Sequence, residues 1–301
     1  MSVGLPPQLE ASVRDCLSDA GHPTEVVEAT PVSGGCIHQS LRISTALGES
    51  FFLKWSSAPA RDAFCAEANG LEALADLGGP RVPEVIGYSP PDDSPSWLLL
   101  EFVPHGPETD DYWEALGQGI AHIHRPRPEP YGWAHPNYIG SLPQANGVTE
   151  DWSEFWWTRR LLPQLTTARE GARLPGGWDE WELLEARLPD LMAGAGLEAS
   201  LLHGDLWSGN VFAGPSGEPI LVDPAVYRGH AEVDLAMTEL FGGFPNSFYA
   251  AYWSVRPPMD GYREIRRSLY QLYPLLVHVN LFGGSYVGAT YRILREVLSQ
   301  I

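Results

Sequence analysis

The chain has 301 residues, of which 44% are hydrophobic, and a formal net charge of −19. This length predicts one large domain or two lobes, and only 19 basic residues argue against a nucleic-acid partner. No apolar run reaches the roughly 18 residues of a membrane span, and the N-terminus lacks the basic start and apolar core of a secretory signal. The three cysteines, Cys16, Cys36 and Cys65, are typical of reduced thiols, so we expect a cytoplasmic protein.

The first hundred residues carry strand patterns on either side of one helical pattern. Residues 59–78 have apolar side chains at a helical period, and Gly78-Gly79-Pro80 would end that helix. The strands are predicted over 26–32, 37–44, 50–55, 82–88 and 97–103. The last of these is almost entirely apolar, so we expect a buried strand that runs into a linker.

Beyond residue 106 the pattern becomes helical. Prolines and glycines crowd residues 126–147, which predicts an irregular surface stretch. Helices are predicted near 109–124, 151–170, 179–193, 233–241, 246–255 and 260–299. The resulting fold class is α+β, with a small β-rich lobe over 1–103 and a larger, mostly α lobe over 104–301.

Lys54 is the only lysine in the chain, since the other cations are arginines. It lies near the end of an apolar strand, where a compact ammonium can enter a phosphate pocket too narrow for a planar guanidinium. Chance retention on a strand edge is the alternative. A carboxylate partner is expected on the helix 59–78, where Glu67 lies beside the apolar stripe and Glu72 points further out.

A glycine pair precedes the strand of Lys54. Gly34 and Gly35 lie in the turn between the first two predicted strands, where backbone N–H groups could approach phosphates closely. The pattern alone is weak, because many hairpins contain two glycines. Its position before Lys54 favours a loop that covers a nucleotide.

The stretch from His203 to Asp223 gives the strongest signal of function. Asn210 lies five residues after Asp205, and two short apolar runs around Gly214-Pro215-Ser216-Gly217 predict a hairpin that ends at Asp223. An amide oxygen beside a carboxylate suits Mg²⁺, and Asp205 would be placed to receive a proton from a hydroxyl. The spacing resembles the catalytic loop and D-F-G segment of protein kinases. Gly204 replaces the arginine of that loop.

Several strings together resemble the fructosamine/ketosamine-3-kinase family, within the aminoglycoside-phosphotransferase-like kinases, over nearly the whole chain. HGDxxxxN marks the wider superfamily, whereas DLWSGN followed by DPAVY is much narrower. The strings are LLHGDLWSGN (201–210), DPAVYRGHAEVDLAM (223–237), LFGGF (240–244), LYQLYPLLVHVNLFGGSY (269–286), SGGCIHQS (33–40) and AEANGLEAL (66–74).

The resemblance implies a bilobal protein-kinase-like fold and transfer of the γ-phosphate of ATP to the 3-hydroxyl of a ketosamine. The phosphorylated adduct would then eliminate and regenerate the amine, as in repair of glycation. It implies that Asp205 is the base, that Asn210 and Asp223 hold Mg²⁺, and that Lys54 with Glu67 contacts the ATP phosphates.

Further roles follow from the same resemblance. Backbone groups of Glu101 and Val103 would hold adenine at the hinge, and Trp207 would face the sugar-amine. His203 and Asp234 would support the catalytic loop. Cys36 lies in the phosphate loop, which predicts a monomer or, after oxidation, a dimer linked through Cys36; an inert thiol is the alternative.

Other functions are compatible with parts of the sequence. A kinase of the same superfamily could act on an aminoglycoside, choline or a thioribose sugar. A nucleotide-binding module without catalysis would be expected to lack some of the four polar residues Lys54, Asp205, Asn210 and Asp223, all of which are present. Protein-kinase activity is disfavoured, because the segment after Asp223 is short. The sequence leaves open whether the sugar sits on a free amine or a protein lysine.

Overall fold

The structure is a computed structural model that describes residues 4–32, 39–57, 62–193 and 198–300. The chain divides into two compact units. Unit 1 comprises Met1–Thr109 with Phe212–Asp223, and unit 2 comprises Asp110–Val211 with Pro224–Ile301.

Unit 1 is built on a five-stranded antiparallel sheet. Ser50–Ser56 lies in the middle of the sheet. Within it, Lys54 pairs with Ser40 on one neighbouring strand and with Leu98 on the other. In spatial order the strands are Val26–Pro31, Gln39–Thr45, Ser50–Ser56, Ser96–Glu101 and Val85–Tyr88. The strand predicted over 97–103 ends at Glu101, so Val103 lies beyond it.

Two helices belong to unit 1. Ala63–Ala75 forms within the predicted helix 59–78 and buries Phe64, Ala68 and Leu71. Pro7–Asp19 was not predicted, although Leu9, Val13 and Leu17 recur every four residues and are fully buried in one cluster with sheet residues. Such a spacing places all three side chains on one face of a helix, so the signal was present in the sequence.

The predicted hairpin before Asp223 is present. Val211–Ala213 and Pro219–Leu221 form a two-stranded sheet around a turn in which Gly217 has a φ of +83°. Backbone hydrogen bonds anchor the hairpin in unit 1, because Gly106 N donates to Ala213 O and Leu221 N donates to Arg81 O, both at 2.8 Å.

Unit 2 is mostly helical, which confirms the α+β prediction. A cluster of buried aromatic residues, including Trp152, Trp156 and Trp181, lies at its centre. The α-helices are Tyr112–Ile123, Trp152–Phe155, Leu162–Glu170, Trp178–Met192, Glu232–Thr238, Asn246–Val255, Arg267–Phe282 and Val287–Leu298. Wider π-helical turns, Trp156–Leu161 and Tyr262–Arg266, precede two of them, and Ser208–Asn210 is a 3₁₀ turn. Short strands pair Ser200–Leu202 with Tyr227–Gly229.

Two predictions for unit 2 need correction. The pattern over 260–299 belongs to two helices, since Gly283 adopts a φ of +88° and ends the first of them. The stretch 126–147 is not all irregular surface, because Asn137–Ile139 and Leu142–Gln144 pair as strands with buried polar side chains. Asn and Gln are mostly exposed in proteins, so composition alone points to the surface. Among the described residues, no helix is long and apolar enough to cross a membrane.

Candidate active site

Lys54 lies at the centre of a buried charge cluster in unit 1. The strand Ser50–Ser56 carries it, and its side chain is only 11% exposed. Its Nζ lies 2.7 Å from Glu67 Oε1 and also forms an ion pair with the carboxylate of Asp223. One ammonium therefore bridges a carboxylate from the helix Ala63–Ala75 and another from the end of the hairpin.

The electrostatics of this cluster depend on the balance between burial and charge. Burial alone would lower the pKa of Lys54, but the carboxylates of Glu67 and Asp223 outweigh it and raise that pKa above its usual value. Burial raises the pKa of Glu67, which the charge of Lys54 counteracts. The ammonium therefore stays charged.

The structure distinguishes the two carboxylates that the sequence offered as partners for Lys54. Glu67 points to the lysine from the middle of its helix, whereas Glu72 is exposed to solvent. They lie five residues apart, which turns them by well over a quarter of a circle around the helix axis.

Asp223 has an unusual backbone. Its φ is +54°, in the left-handed region that asparagine and aspartate adopt more readily than most side chains. It follows the strand Pro219–Leu221 by two residues, so the hairpin delivers it to Lys54. Its side chain is 44% exposed, which leaves room around the carboxylate for a cation or a phosphate.

In unit 2, Asp205 and Asn210 lie in one compact loop. Asn210 Nδ2 donates to the backbone oxygen of Asp205 at 2.8 Å and to its Oδ2 at 2.9 Å. The 3₁₀ turn Ser208–Asn210 brings the amide back to the carboxylate. Because the nitrogen side of the amide faces Asp205, the Oδ1 of Asn210 is directed away from it, as a metal-binding oxygen would need to be.

The carboxylate of Asp234 supports this loop from beneath. It is 1% exposed and accepts backbone hydrogen bonds from His203 N at 2.7 Å and Gly204 N at 2.9 Å. His124 Nε2 lies 3.1 Å from the same carboxylate and so shares in its support. Two backbone amides thus point at one buried anion, which fixes the turn that precedes Asp205.

His203 and Gly204 tie the loop to the segment after Asp223. Ala225 N donates to His203 O at 2.8 Å, and Asp205 N donates to His203 Nδ1 at 3.3 Å. Gly204 has a φ of +82°, and a Cβ on it would lie 2.1 Å from the backbone oxygen of Ala225. The glycine that replaces the kinase arginine is therefore required by the close approach of these two segments.

A pocket opens beside Asp205. Gly204, Asp205, Tyr273 and His278 are among the residues that line it. His278 Nδ1 lies 2.8 Å from Pro274 O, and burial lowers the pKa of His278, so its ring is neutral near pH 7 and Nε2 is an acceptor. Polar acceptors and an aromatic ring beside a carboxylate suit a hydroxylated ligand.

Trp207 lies on the outer side of the loop. Its indole covers Gly209, at which a Cβ would lie 2.3 Å from the ring, and is 36% exposed. Phe241 contacts it edge-on at 6.3 Å between centroids and in turn contacts the ring of His278 at 4.5 Å. An aromatic chain therefore connects Trp207 with the pocket of Asp205.

The remaining predicted nucleotide residues have simpler surroundings. Glu101 N donates to Glu84 O at 2.8 Å, and its side chain forms an ion pair with Arg81. Val103 is buried. Gly34, Gly35 and Cys36 lie outside the described residues.

Sequence reasoning missed Tyr273 and His278. Both occur in the string LYQLYPLLVHVNLFGGSY, where their spacing is also that of ordinary helix packing. The available signal of a polar site was a tyrosine and a histidine within a mostly apolar helix. Only the structure places these two side chains beside Asp205.

Comparison with known proteins gives a consistent result across nearly the whole chain. Residues 9–300 match the family described as fructosamine kinase. A Synechocystis protein named a probable ketoamine kinase is 38% identical over 299 residues, which is 99% of each chain. The chloroplastic protein-ribulosamine 3-kinase of Arabidopsis thaliana is 35% identical over 99% of this chain and 91% of its own length.

Solved structures agree with the sequence relatives. A crystal structure of a candidate fructosamine-3-kinase from Haemophilus somnus superposes with a TM-score of 0.86 at 27% identity, covering 95% of this chain and 96% of the other. An aminoglycoside phosphotransferase superposes with a TM-score of 0.61 at 14% identity, covering 96% of this chain and 99% of the other, which shows a shared fold.

Proposed function

This chain belongs to the fructosamine kinase family, and on that premise we propose that it transfers the γ-phosphate of ATP to the 3-hydroxyl of a ketosamine. The observation that carries the proposal is the placement of Asp205. Its carboxylate lies at a pocket with Tyr273 and His278, and Asn210 donates a hydrogen bond to it within the same loop. A 3-phosphate on such an adduct favours elimination, which regenerates the amine.

Asp205 is the proposed general base. Phosphoryl transfer proceeds through a loose transition state, so a protein contributes mainly by positioning groups and neutralising charge. Asp205 would orient the 3-hydroxyl and accept its proton late in the reaction. Its hydrogen bond from Asn210 Nδ2 directs the carboxylate.

The nucleotide would be held by unit 1. Lys54, fixed by Glu67, supplies a compact positive charge suited to the phosphates of ATP. We also propose that Glu101 and Val103 offer backbone groups to adenine, that the loop of Gly34 and Gly35 covers the phosphates, and that residues 1–103 and 104–301 act as nucleotide and substrate lobes.

Mg²⁺ fits the residues available. Asn210 offers an amide oxygen directed away from Asp205, and Asp223 offers a half-exposed carboxylate, both of which are hard oxygen ligands. These two residues would hold the ion, which neutralises phosphate charge when bound. Lys54, already paired with Asp223, would offset the charge of that carboxylate in the absence of the ion.

The ketosamine would bind over the pocket of Asp205, whose volume of about 20 Å³ admits a hydroxyl group but not a whole sugar. Trp207 and the aromatic rings beside it offer apolar faces for the sugar carbons, and the neutral His278 offers an acceptor for a hydroxyl. A free amine and a protein lysine are both compatible with the open side at Trp207, which is 36% exposed.

A coupled ADP assay tests this proposal. A synthetic fructosamine, a ribulosamine, choline and kanamycin are each offered with ATP and Mg²⁺. We expect ADP release with the two ketosamines that Asp205→Asn abolishes. Turnover of choline or kanamycin alone would instead assign the chain to another substrate of the same superfamily.

The Cys36 hypothesis is tested separately. Oxidation would link two chains through Cys36 and suppress activity, so wild type should give a dimer band on a non-reducing gel that Cys36→Ser does not. Monomer bands from both proteins under oxidant would end the hypothesis and leave an inert thiol in a monomer.

A further inference from the structure

Three buried amides lie under the segment that follows Asp223. Asn137, Gln144 and Asn146 are each at most 5% exposed. Asn137 Nδ2 donates to Val226 O at 2.8 Å, and Gln144 Nε2 donates to Ala225 O at 3.2 Å. The amides therefore hold two consecutive backbone carbonyls, only two and three residues beyond Asp223.

The amides also bind one another in a fixed direction. Asn137 Oδ1 accepts from Gln144 Nε2 and from Asn146 Nδ2, both at 2.8 Å. A terminal amide can present either its oxygen or its nitrogen to a neighbour. A backbone carbonyl can only accept, so Val226 O and Ala225 O require the nitrogens of Asn137 and Gln144, and the oxygens of the network need donors of their own.

Arg160 decides one end of the network. Its Nη2 donates to Asn146 Oδ1 at 2.7 Å, and a guanidinium can only donate. The oxygen of Asn146 must then face Arg160 and its nitrogen must face Asn137. Asn137 in turn must direct its own nitrogen to Val226 O.

Tyr273 supplies the donor at the other end. Its hydroxyl donates to Gln144 Oε1 at 2.7 Å, while the nitrogen of Gln144 donates to Ala225 O and to Asn137 Oδ1. Tyr273 also lines the pocket of Asp205. The same residue thus touches the proposed substrate pocket and the network beneath the segment after Asp223.

The burial of Arg160 indicates a role beyond filling space in the core. The residue is fully buried in the π-helical turn Trp156–Leu161, its guanidinium stacks on Tyr227 at 3.8 Å, and its bonds go to Asn146 and to backbone carbonyls such as Ala145 O. Burying a charge is costly, and a well-packed apolar residue often stabilises a fold as well or better. π-helical turns occur frequently at functional sites.

We propose that Arg160 and Tyr273 are positioning residues that orient the three amides, fix the carbonyls of Ala225 and Val226, and so place the metal-binding carboxylate of Asp223. The proposal rests on the proposed function for the role of Asp223. It assigns no contact of Arg160 with substrate, nucleotide or metal.

Asn146→Asp reverses the direction of the network by replacing one nitrogen with oxygen. The new carboxylate still accepts from Arg160 and pairs with its charge, which favours retention of the fold. It can no longer donate to Asn137 Oδ1 or to His135 O, and it draws the nitrogen of Asn137 towards itself. Val226 O then faces an oxygen, and the segment after Asp223 loses its anchor.

Gln164→Glu is the matched control. Gln164 is a buried amide of the same unit, 5% exposed, and its Oε1 accepts from Asn280 Nδ2 at 2.7 Å. A carboxylate can still accept that bond. The control therefore introduces the same chemical change in the interior without touching the amide network.

Binding of Mn²⁺ to the protein with a non-hydrolysable ATP analogue is the readout, followed by electron paramagnetic resonance. Changes to the groups that orient metal ligands typically weaken metal affinity by roughly 10–100-fold, and we expect that loss for Asn146→Asp with an unchanged circular dichroism spectrum. The kcat should fall with little change in the KM for fructosamine. Gln164→Glu should match wild type in both measurements.

Tyr273→Phe gives a second route if Asn146→Asp does not fold. It removes one hydroxyl and retains the ring, and we expect a weaker loss of Mn²⁺ affinity of the same kind. Wild-type affinity in a folded Asn146→Asp or in Tyr273→Phe would overturn the proposal. If wild type phosphorylates no ketosamine, the proposed function fails, whereas the Mn²⁺ titration still decides the role of the network.

Discussion

The two units hold their polar groups in different ways. In unit 1, opposite formal charges pair, since the ammonium of Lys54 bridges the carboxylates of Glu67 and Asp223. In unit 2, the loop of Asp205 is held by backbone N–H groups on Asp234 and by neutral amides. Substitutions that change a charge should disturb the arrangement in unit 1. Substitutions that reverse the direction of a hydrogen bond should disturb the arrangement in unit 2.

This difference fits the division of roles that we propose for the two units. Phosphate is an anion of high charge density, and a buried ammonium offsets it most effectively where water is scarce. A hydroxyl substrate needs orientation, which directional hydrogen bonds around a fixed base provide. Substitutions that preserve charge should therefore be tolerated differently in the two units.

The largest effect is expected for Asp205→Asn. The amide cannot accept the hydroxyl proton, so kcat should fall by roughly 10²–10⁴. ATP binding, measured by calorimetry, should change little because Lys54 and Glu67 remain. A kcat near that of wild type would mean that Asp205 is not the base.

Lys54→Arg tests the charge cluster while keeping the charge. The planar guanidinium does not reproduce a point charge between two carboxylates, and we expect kcat to fall by about 10². Steady-state kinetics at saturating ATP and ketosamine measure this loss. Full activity of the arginine variant would show that the site does not require a lysine at position 54.

Glu67→Gln and Glu72→Gln form a matched pair on one helix. Loss of the Glu67 charge leaves Asp223 as the remaining carboxylate partner of Lys54, and we expect the KM for ATP to rise by roughly tenfold, a single pKa unit's worth of interaction. Glu72 is exposed, so its variant should behave as wild type. Equal effects from both would place the partner of Lys54 elsewhere.

Asp234→Asn is expected to act mainly on stability. The carboxylate accepts two backbone hydrogen bonds in a buried position, and bonds to a charged group contribute about 1.5–3 kcal/mol each. Urea unfolding should show a loss of that order in the free energy of unfolding. Asp190→Asn, at a side chain 72% exposed, serves as the control, and an equal loss there would contradict the assignment.

The smallest effect concerns pH. Burial lowers the pKa of His278 below its ordinary 6.5, so the unfolded chain binds a proton more readily than the folded one. The stability that the neutral ring contributes is present above pH 6.5 and is lost as pH falls through the folded-state pKa.

Urea unfolding between about pH 5 and 8 measures this slope. Subtracting the curve of His278→Gln isolates the contribution of this ring from those of the polar side chains around it, which are Asp205, Asp234, Tyr273 and Tyr286. Parallel curves for the two proteins would show that His278 does not contribute.

The sequence predicted those parts of the site whose signal is local. The glycine-centred turn predicted the hairpin before Asp223, and a single lysine on an apolar strand drew attention to Lys54. Glu67 could be preferred over Glu72 because helical phase is readable from the apolar stripe.

Other parts depend on contacts between distant segments. Gln144 and Tyr273 lie 129 residues apart, yet they share one hydrogen bond. Polar side chains in a stretch rich in proline and glycine gave no sign that they would be buried. Tyr273 lies within a mostly apolar helix, where a tyrosine is typical of core packing. Neither Gln144 nor Tyr273 therefore carried a local signal of their hydrogen bond.

The most direct test of the central claim is the position of the phosphate in the product. A synthetic fructosamine labelled with ¹³C at C3 is incubated with the protein, ATP and Mg²⁺, and the product is followed by ³¹P and ¹³C nuclear magnetic resonance. We predict phosphorus coupling to the labelled carbon, followed by slow release of the free amine. A product phosphorylated at another carbon, or none while ATP binds normally, would contradict the account.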